Sequence, residues 1–176
     1  QNRVSQEVRV RFSLRPPKFM KIDKINNLLE LFFQQYEKQN KDDIFLQSLK
    51  YSEKKYSWRH VYENIEKLSE EISKYINKGD RCLLISENRP EWMIADLSIM
   101  LSKGITVPAY TTYVERDYEY IIDDCTPTII IVSDKLQYKK VKDIIPKKKF
   151  IKKIIFFEKI KDFKDNFILN TEDIFK

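Results

Sequence analysis

Apolar positions in this chain change rhythm part-way along. From about Asp23 to Gln39 they recur at helical spacing: Ile25, Leu28, Leu29, Phe32, Phe33 and Tyr36 share one face of an amphipathic helix. Ile44-Phe-Leu-Gln-Ser48 and Lys55-Tyr-Ser57 flank a polar segment and read as a small hairpin. Ser57 is placed to cap a second helix, in which Val61, Ile65, Leu68, Ile72 and Ile76 keep the helical period before Gly79-Asp80 stops it.

Beyond Gly79 the pattern becomes strand and helix in alternation. Cys82–Ser86, Ile105–Pro108, Thr128–Val132 and Ile151–Phe157 are branched or aromatic runs about 23 residues apart. Between them lie helical stretches near Glu91–Lys103, Arg116–Asp124 and Lys135–Ile145. Runs apolar on both faces, joined by helix-length connections, predict an α/β fold with a largely parallel sheet flanked by helices.

The helix after Pro90 carries its own signals. Proline suits a first turn, Glu91 complements the positive helix end, and Gly104 is expected to provide the left-handed stop. Trp92, Met93, Ile94, Ala95, Leu97, Ile99, Met100 and Leu101 leave almost no polar face, so deep burial is expected. Trp58, Trp92 and Tyr118 read as core residues, and Asn170-Thr-Glu-Asp as the capped start of a further helix.

With 176 residues and 42% hydrophobic content, the chain can bury a core. The longest apolar window, Trp92–Leu101, is interrupted by Asp96 and is too short to span a bilayer, and Gln1–Pro17 lack the apolar stretch of a secretory signal. A cytoplasmic protein with residues 1–22 as a poorly ordered extension is the expectation. The net charge of +6 comes mostly from lysine, in a chain rich in Lys, Ile, Asn, Tyr and Phe but poor in Gly and Ala, so it singles out neither nucleic acid nor an anionic membrane surface as a partner. Cys82 and Cys125 match neither zinc nor redox spacing and are expected to be reduced and structural.

Candidate chemistry is sparse. A dinucleotide fold would need glycines in the turn after its first strand, but that turn is Ser86-Glu-Asn-Arg-Pro90. Only Gly79 and Gly104 occur in the chain, Glu87 would repel phosphate, and Pro90 removes an amide donor. His60, the single histidine, is expected to face solvent or serve a cap. Asp96 is either a desolvated base or a structural partner of a hydroxyl or Arg89; Arg89 either grips phosphate or pairs with Glu91 or Asp96. Tyr110, Thr111 and Thr112 lie past the carboxyl end of a strand, where ligands bind open sheets, although threonine is also ordinary turn chemistry there. Lys147-Lys-Lys149, Lys152 and Lys153 read as a solvated basic edge.

Four segments resemble one family: Tyr56-Ser-Trp-Arg-His-Val-Tyr-Glu63, Lys78-Gly-Asp-Arg81, Ile85-Ser-Glu-Asn-Arg-Pro-Glu-Trp-Met-Ile-Ala-Asp96 and Val107-Pro-Ala-Tyr-Thr-Thr112. In order and spacing they are similar to the amino-terminal region of long-chain fatty acyl-CoA synthetases, members of the AMP-binding, adenylate-forming superfamily. The likeness runs from about Ile25 to Phe157. It departs at Ser102-Lys-Gly104, where the family usually has Ala-Gly, at His60, where glutamate is frequent, and in a shorter connection before Lys78.

The resemblance implies the large amino-terminal α/β domain of such an enzyme, with residues 23–176 a partial AMP-binding domain incomplete at its carboxyl end. It implies a parent that converts fatty acid, ATP with Mg2+, and coenzyme A into acyl-CoA, AMP and pyrophosphate, with possible peripheral membrane contact and no nucleic-acid partner. No position here matches the family's phosphate loop, adenine and ribose motifs, hinge or catalytic lysine. No catalytic, cofactor-binding or metal residue is therefore assigned, and the chain alone is expected to be inactive. An acyl-carrier-protein ligase, another acid-activating relative, or a non-catalytic basic surface-binding module are the alternatives.

Overall fold

A computed structural model describes residues 25–48, 54–160 and 167–176. The expectation for residues 1–22 lies outside the described residues. The chain divides into two compact units: the described residues up to Tyr62 with Asn88–Pro90, and Glu63–Glu87 with Glu91–Lys176.

The first unit holds α1 (Leu28–Lys38) and the antiparallel hairpin β1 (Ile44–Gln47) and β2 (Lys55–Ser57). α1 begins later than the apolar pattern alone predicts, because a reciprocal cap forms ahead of it. The Asn27 side chain accepts from the Glu30 amide at 2.9 Å, while the Glu30 carboxylate accepts from the Asn26 amide at 2.8 Å. Leu28 is consequently in the first turn and 57% exposed rather than on the packed face. Phe32 carries that face, with ring centroids 6.1 Å from Phe45 and 5.9 Å from Trp58; Phe45 and Trp58 stack at 3.8 Å.

α2 (Trp58–Ser73) starts where Ser57 predicts, the Ser57 hydroxyl accepting from the His60 amide at 3.3 Å. Val61, Ile65, Leu68, Ile72 and Ile76 are all buried, and Gly79 adopts φ +88° in the following turn.

In the second unit β3 (Arg81–Ile85), β4 (Ile105–Ala109), β5 (Ile129–Val132), β6 (Lys153–Phe156) and β7 (Ile168–Asn170) form one fully parallel sheet in the order β4-β3-β5-β6-β7. Leu83 and Ile85, Ile130 and Val132, and Ile154 and Phe156 share one core with Tyr118 and Ile122 of α4 (Glu115–Cys125). Cys82, Leu84, Ile129, Ile131 and Ile155 alternate with them and are equally buried. This dry, two-sided sheet is the α/β architecture that the strand rhythm predicts.

Several expectations are corrected. β4 is an edge strand among the described residues: Ile105 is 50% exposed and Pro108 is solvent-facing, tolerable because an edge proline deprives no neighbour of a ladder bond. In α3 (Pro90–Leu101), Ile94, Ala95, Leu97, Ser98 and Ile99 are buried, but Trp92, Met93, Met100 and Leu101 are only half-buried. The stretch Lys135–Ile145 is not one helix; α5 (Lys135–Lys139) gives way to turns and a 3-10 helix at Ile145–Lys147. Pro146 has no amide to extend an α-helical ladder, and the turns tighten, with Ile144 N–H bonding Val141 O at 3.0 Å. The pattern also missed β7, whose residues are too mixed to announce a strand and gain order only by pairing with β6. Asn170 precedes α6 (Thr171–Ile174) as expected, yet its side chain accepts from the Ile160 amide at 3.1 Å rather than capping the helix.

The stop after α3 also differs from expectation. Lys103, not Gly104, is left-handed, with φ 64°. Lys103 N–H bonds Met100 O at 3.0 Å and Gly104 N–H bonds Ile99 O at 2.9 Å, which is the Schellman arrangement one residue earlier than a glycine-led reading places it. Gly104 is required instead by crowding, since a methyl there would sit 2.9 Å from Ile76 Cδ1 and 3.2 Å from Ile99 O. Gly104→Ala is therefore expected to destabilise the fold by about 1–3 kcal/mol through overpacking, whereas Lys103→Gly relieves backbone strain and raises stability by up to about 1 kcal/mol. Chemical-denaturation midpoints of the two variants check this; the opposite order would restore Gly104 as the left-handed stop.

Candidate functional site

The strand order makes one place special. β4 lies on one side of β3 and β5 on the other, so the β3-to-β4 and β4-to-β5 crossovers run in opposite directions, which makes the carboxyl ends of β3 and β5 the topological switch point where open parallel sheets form their ligand crevice. The residues that follow these two strands define the candidate site.

Ser86 and Glu87 leave β3. The Ser86 hydroxyl donates to Glu87 O at 2.8 Å, and the Glu87 carboxylate accepts from the Gln137 side-chain amide at 2.9 Å. Ser133 leaves β5, its amide bonding Ile85 O at 3.0 Å and so continuing the β3–β5 ladder by one rung. Asp134 then caps α5 by accepting from the Gln137 amide at 2.9 Å, which turns the Gln137 side chain back toward Glu87. Ser133 is fully buried and Gln137 is 3% exposed. Ser133 Oγ and Gln137 Oε1 are buried without a hydrogen-bond partner among the described residues.

The arrangement is rich in acceptors. Glu87 brings a carboxylate and Gln137 an unused carbonyl oxygen, so the crevice suits hydrogen-bond donors and disfavours phosphate. Sequence reasoning excluded phosphate at Glu87 but missed Ser133 and Gln137; the position of Ser133 immediately after a four-residue run of branched apolar side chains, with the helix cap Asp134 next and Gln137 three residues beyond that, is the signal that could have found them.

The Tyr110–Thr112 turn is at the neighbouring strand end. Its backbone is gripped: Tyr118 donates to Tyr110 O at 2.7 Å, and the Lys140 ammonium donates to Thr111 O. The Tyr110 side chain is 72% exposed. Burial, with Glu87's charge adding to it, pushes the Tyr118 hydroxyl up to about 12, so it serves as a neutral donor that staples the turn.

The other candidates are dispersed. His60 is exposed and its Nδ1 lies 3.1 Å from Ser57 Oγ, but the same oxygen receives the His60 amide, so the pair is a helix cap. Asp96 is half-buried and has no hydrogen-bond or ion-pair partner among the described residues, which overturns its pairing with Arg89 or a hydroxyl. Arg89 and Glu91 are both buried. Lys148 pairs with Asp123, Lys152 donates to Tyr75 O at 2.9 Å, and Lys153 lies 4.8 Å over the Tyr75 ring, so much of the basic edge is tied to the fold. Cys82 and Cys125 are free and buried; burial pushes the Cys82 thiol up to about 12, with Asp80 adding, and raises Cys125. Among the described residues no cluster of three or more His, Cys, Asp or Glu side chains could hold a metal ion. No helix among them is long and apolar enough to cross a membrane.

The sequence pattern of the AMP-binding enzyme family matches residues 32–172. The chain belongs to that family. Fatty acyl-CoA synthetase A of Dictyostelium discoideum is 32% identical over 60 residues, covering 34% of this chain and 9% of the relative. The chicken (Gallus gallus) long-chain-fatty-acid–CoA ligase ACSBG2 is 26% identical over 84 residues, covering 47% and 11% respectively. The chain thus spans about a tenth of these relatives' length. A solved structure of a putative long-chain-fatty-acid CoA ligase from Rhodopseudomonas palustris superposes with a TM-score of 0.66 at 16% identity, over 84% of this chain and 35% of that one. An anthranilate CoA ligase in complex with anthranoyl-AMP superposes with a TM-score of 0.60 at 18% identity, over 69% and 23%. These likenesses establish the fold: the family member's parallel α/β sheet is the one these ligases carry in their own chains.

Two tests follow from the site's geometry. Glu87→Ala strips the acceptor from a buried amide and is expected to cost about 1–3 kcal/mol, whereas Ser133→Ala removes an unpartnered hydroxyl and is expected to leave the denaturation midpoint unchanged or raised. Equal losses in both variants would show that Ser133 Oγ has a partner. The thiols set an alkaline limit. Because Cys82 ionises near its ordinary 9.0 when unfolded but only at about 12 when folded, its contribution is intact below pH 9 and is lost as pH rises toward 12. Stability measured between those limits should fall by about 1.4 kcal/mol per pH unit per such group, and Cys82→Ala should flatten the decline.

Proposed function

We propose that this chain is the amino-terminal scaffold of an ATP-dependent fatty acid–CoA ligase, in which fatty acid, ATP and coenzyme A become acyl-CoA, AMP and pyrophosphate. The supporting observation is that both curated relatives bearing this segment are named as fatty acyl-CoA synthetase or long-chain-fatty-acid–CoA ligase. The family match and the ordered Glu87-Asn-Arg-Pro-Glu-Trp92 motif agree with that reading.

In this reading residues 23–176 form part of the AMP-binding domain and supply walls rather than reagents. The switch point at β3 and β5 has no glycine and presents Glu87, so ATP phosphates do not fit it. No step of adenylation or thioester formation is therefore assigned to a residue here. The role left to this segment is to hold the sheet rigid, keep water from its two packed faces, and fix the Ser86–Pro90 and Tyr110–Thr112 turns.

With the intact protein, Mg-ATP and coenzyme A, hexadecanoate is expected to drive pyrophosphate release and palmitoyl-CoA formation. A product formed only with acyl carrier protein in place of coenzyme A, or turnover confined to aromatic acids, would replace this reading with another acid-activating function. Residues 1–176 alone should give no acid-dependent pyrophosphate release above background.

A further inference from the structure

No cation answers Glu87 among the described residues. Its carboxylate is half-buried and accepts from the Gln137 side-chain amide at 2.9 Å, but it forms no ion pair there. Lys140, three residues beyond Gln137, donates to Thr111 O instead. Asp134 uses Oδ1 to cap α5 and brings a second carboxylate to the region rather than a counter-charge. A carboxylate drawn part-way out of water loses hydration that an adjoining cation offsets.

Two oxygens beside it have no hydrogen-bond partner. Three buried side-chain oxygens lack one among the described residues, and two of these are Gln137 Oε1 and Ser133 Oγ. Gln137 Oε1 belongs to the same amide whose nitrogen touches Glu87, and Ser133 directly precedes the turn that the Asp134–Gln137 bond closes. Buried polar atoms left alone destabilise a fold, so such a pair next to an unpaired carboxylate marks a place for a positively charged group. Ser133 is fully buried and Gln137 is 3% exposed, which restricts that group to about the size of a water molecule.

We propose that the Glu87 carboxylate, Gln137 Oε1 and Ser133 Oγ bind a monovalent cation of the potassium class at the carboxyl ends of β3 and β5. One formal charge among neutral oxygens suits a singly charged ion, whose hydration shell amide oxygens can replace. Calcium gathers more oxygens, several of them carboxylate, and magnesium keeps its waters and favours phosphate partners, so this small dry set matches neither. Thiolate and imidazole, which softer metals select, are absent from it. A water molecule would satisfy the two orphaned oxygens yet leave the Glu87 charge unpaired.

Thermal unfolding of the intact protein is compared in about 100 mM potassium chloride and in tetramethylammonium chloride of equal ionic strength. Potassium is expected to raise the midpoint by about 2–4 °C, because an ion held only by the folded state stabilises it. Glu87→Gln keeps an acceptor for the Gln137 amide, loses the charge, and is expected to abolish that rise. Ser133→Ala is expected to shrink the rise while its midpoint in tetramethylammonium stays at or above that of the unaltered protein. In crystals soaked with thallous ion, a potassium mimic visible by anomalous scattering, a peak should contact all three oxygens. Should Glu87→Gln not fold, Ser133→Ala and the thallium peak decide the matter. Equal midpoints in the two salts, a full rise in Glu87→Gln as a general salt effect would give, a larger rise from magnesium, or no thallium at the three oxygens would each overturn the proposal. None of these readouts uses ATP, acid or coenzyme A, so ion binding and ligase turnover are judged separately.

Discussion

A sheet dry on both faces is the constraint from which the rest of the second unit follows. Leu83, Leu84 and Ile85 of β3, and Ile129 to Val132 of β5, are all buried completely, so water reaches neither face of these strands. Their backbone amides and carbonyls must then be satisfied by neighbouring strands, which fixes pairing and register together. Parallel pairing in turn demands a crossover between successive strands, and α3, α4 and α5 lie in the crossovers from β3 to β4, β4 to β5 and β5 to β6.

Close packing around that sheet decides details that would otherwise be free. Ser98 donates to Ile94 O of its own helix at 2.6 Å and lies 3.3 Å from Ile65 O of α2; Ser102 donates to Ser69 O at 2.9 Å. These short hydroxyls join α3 to α2 where larger polar groups would hold the helices apart. The turn after α2 and the end of α3 are tied in the same region, Gly79 N–H bonding Lys103 O at 2.8 Å and Ile105 N–H bonding Asp80 O at 2.9 Å. Lys103 bears an unfavourable φ because Gly104 is needed where Ile76 and Ile99 crowd the backbone.

At the carboxyl ends of β3 and β5 the same topology gathers Glu87, Ser133 and Gln137, three groups far apart in sequence. Their chemistry separates this crevice from a phosphate site that an open parallel sheet often carries, since carboxylate and amide oxygen replace glycine amides. A family built on adenylation can thus contain a sheet whose own switch point is unsuited to nucleotide phosphates.

Much of this architecture was legible in the residues. Periodicity located α1, α2, α3, α4 and four of the five parallel strands, because burial on one face or two leaves a pattern that local sequence must obey. The hairpin and the Ser57 cap were legible too, being local chemistry. The motif around Glu87–Trp92 pointed to the family that residues 32–172 match. What the sequence could not decide depends on neighbours distant along the chain. β7 exists because β6 offers an unpaired edge; β4 is only partly buried because among the described residues a strand pairs with it on one side alone; Trp92 is half-buried although its helix is almost wholly apolar. Likewise the Asp96 side chain has no partner among the described residues, Asn170 serves Ile160 rather than its helix, and Ser133 and Gln137 become a site only when β3 and β5 lie side by side. Local propensity acts within a turn or two of chain, whereas burial, edge position and side-chain pairing are set by which segments meet in space.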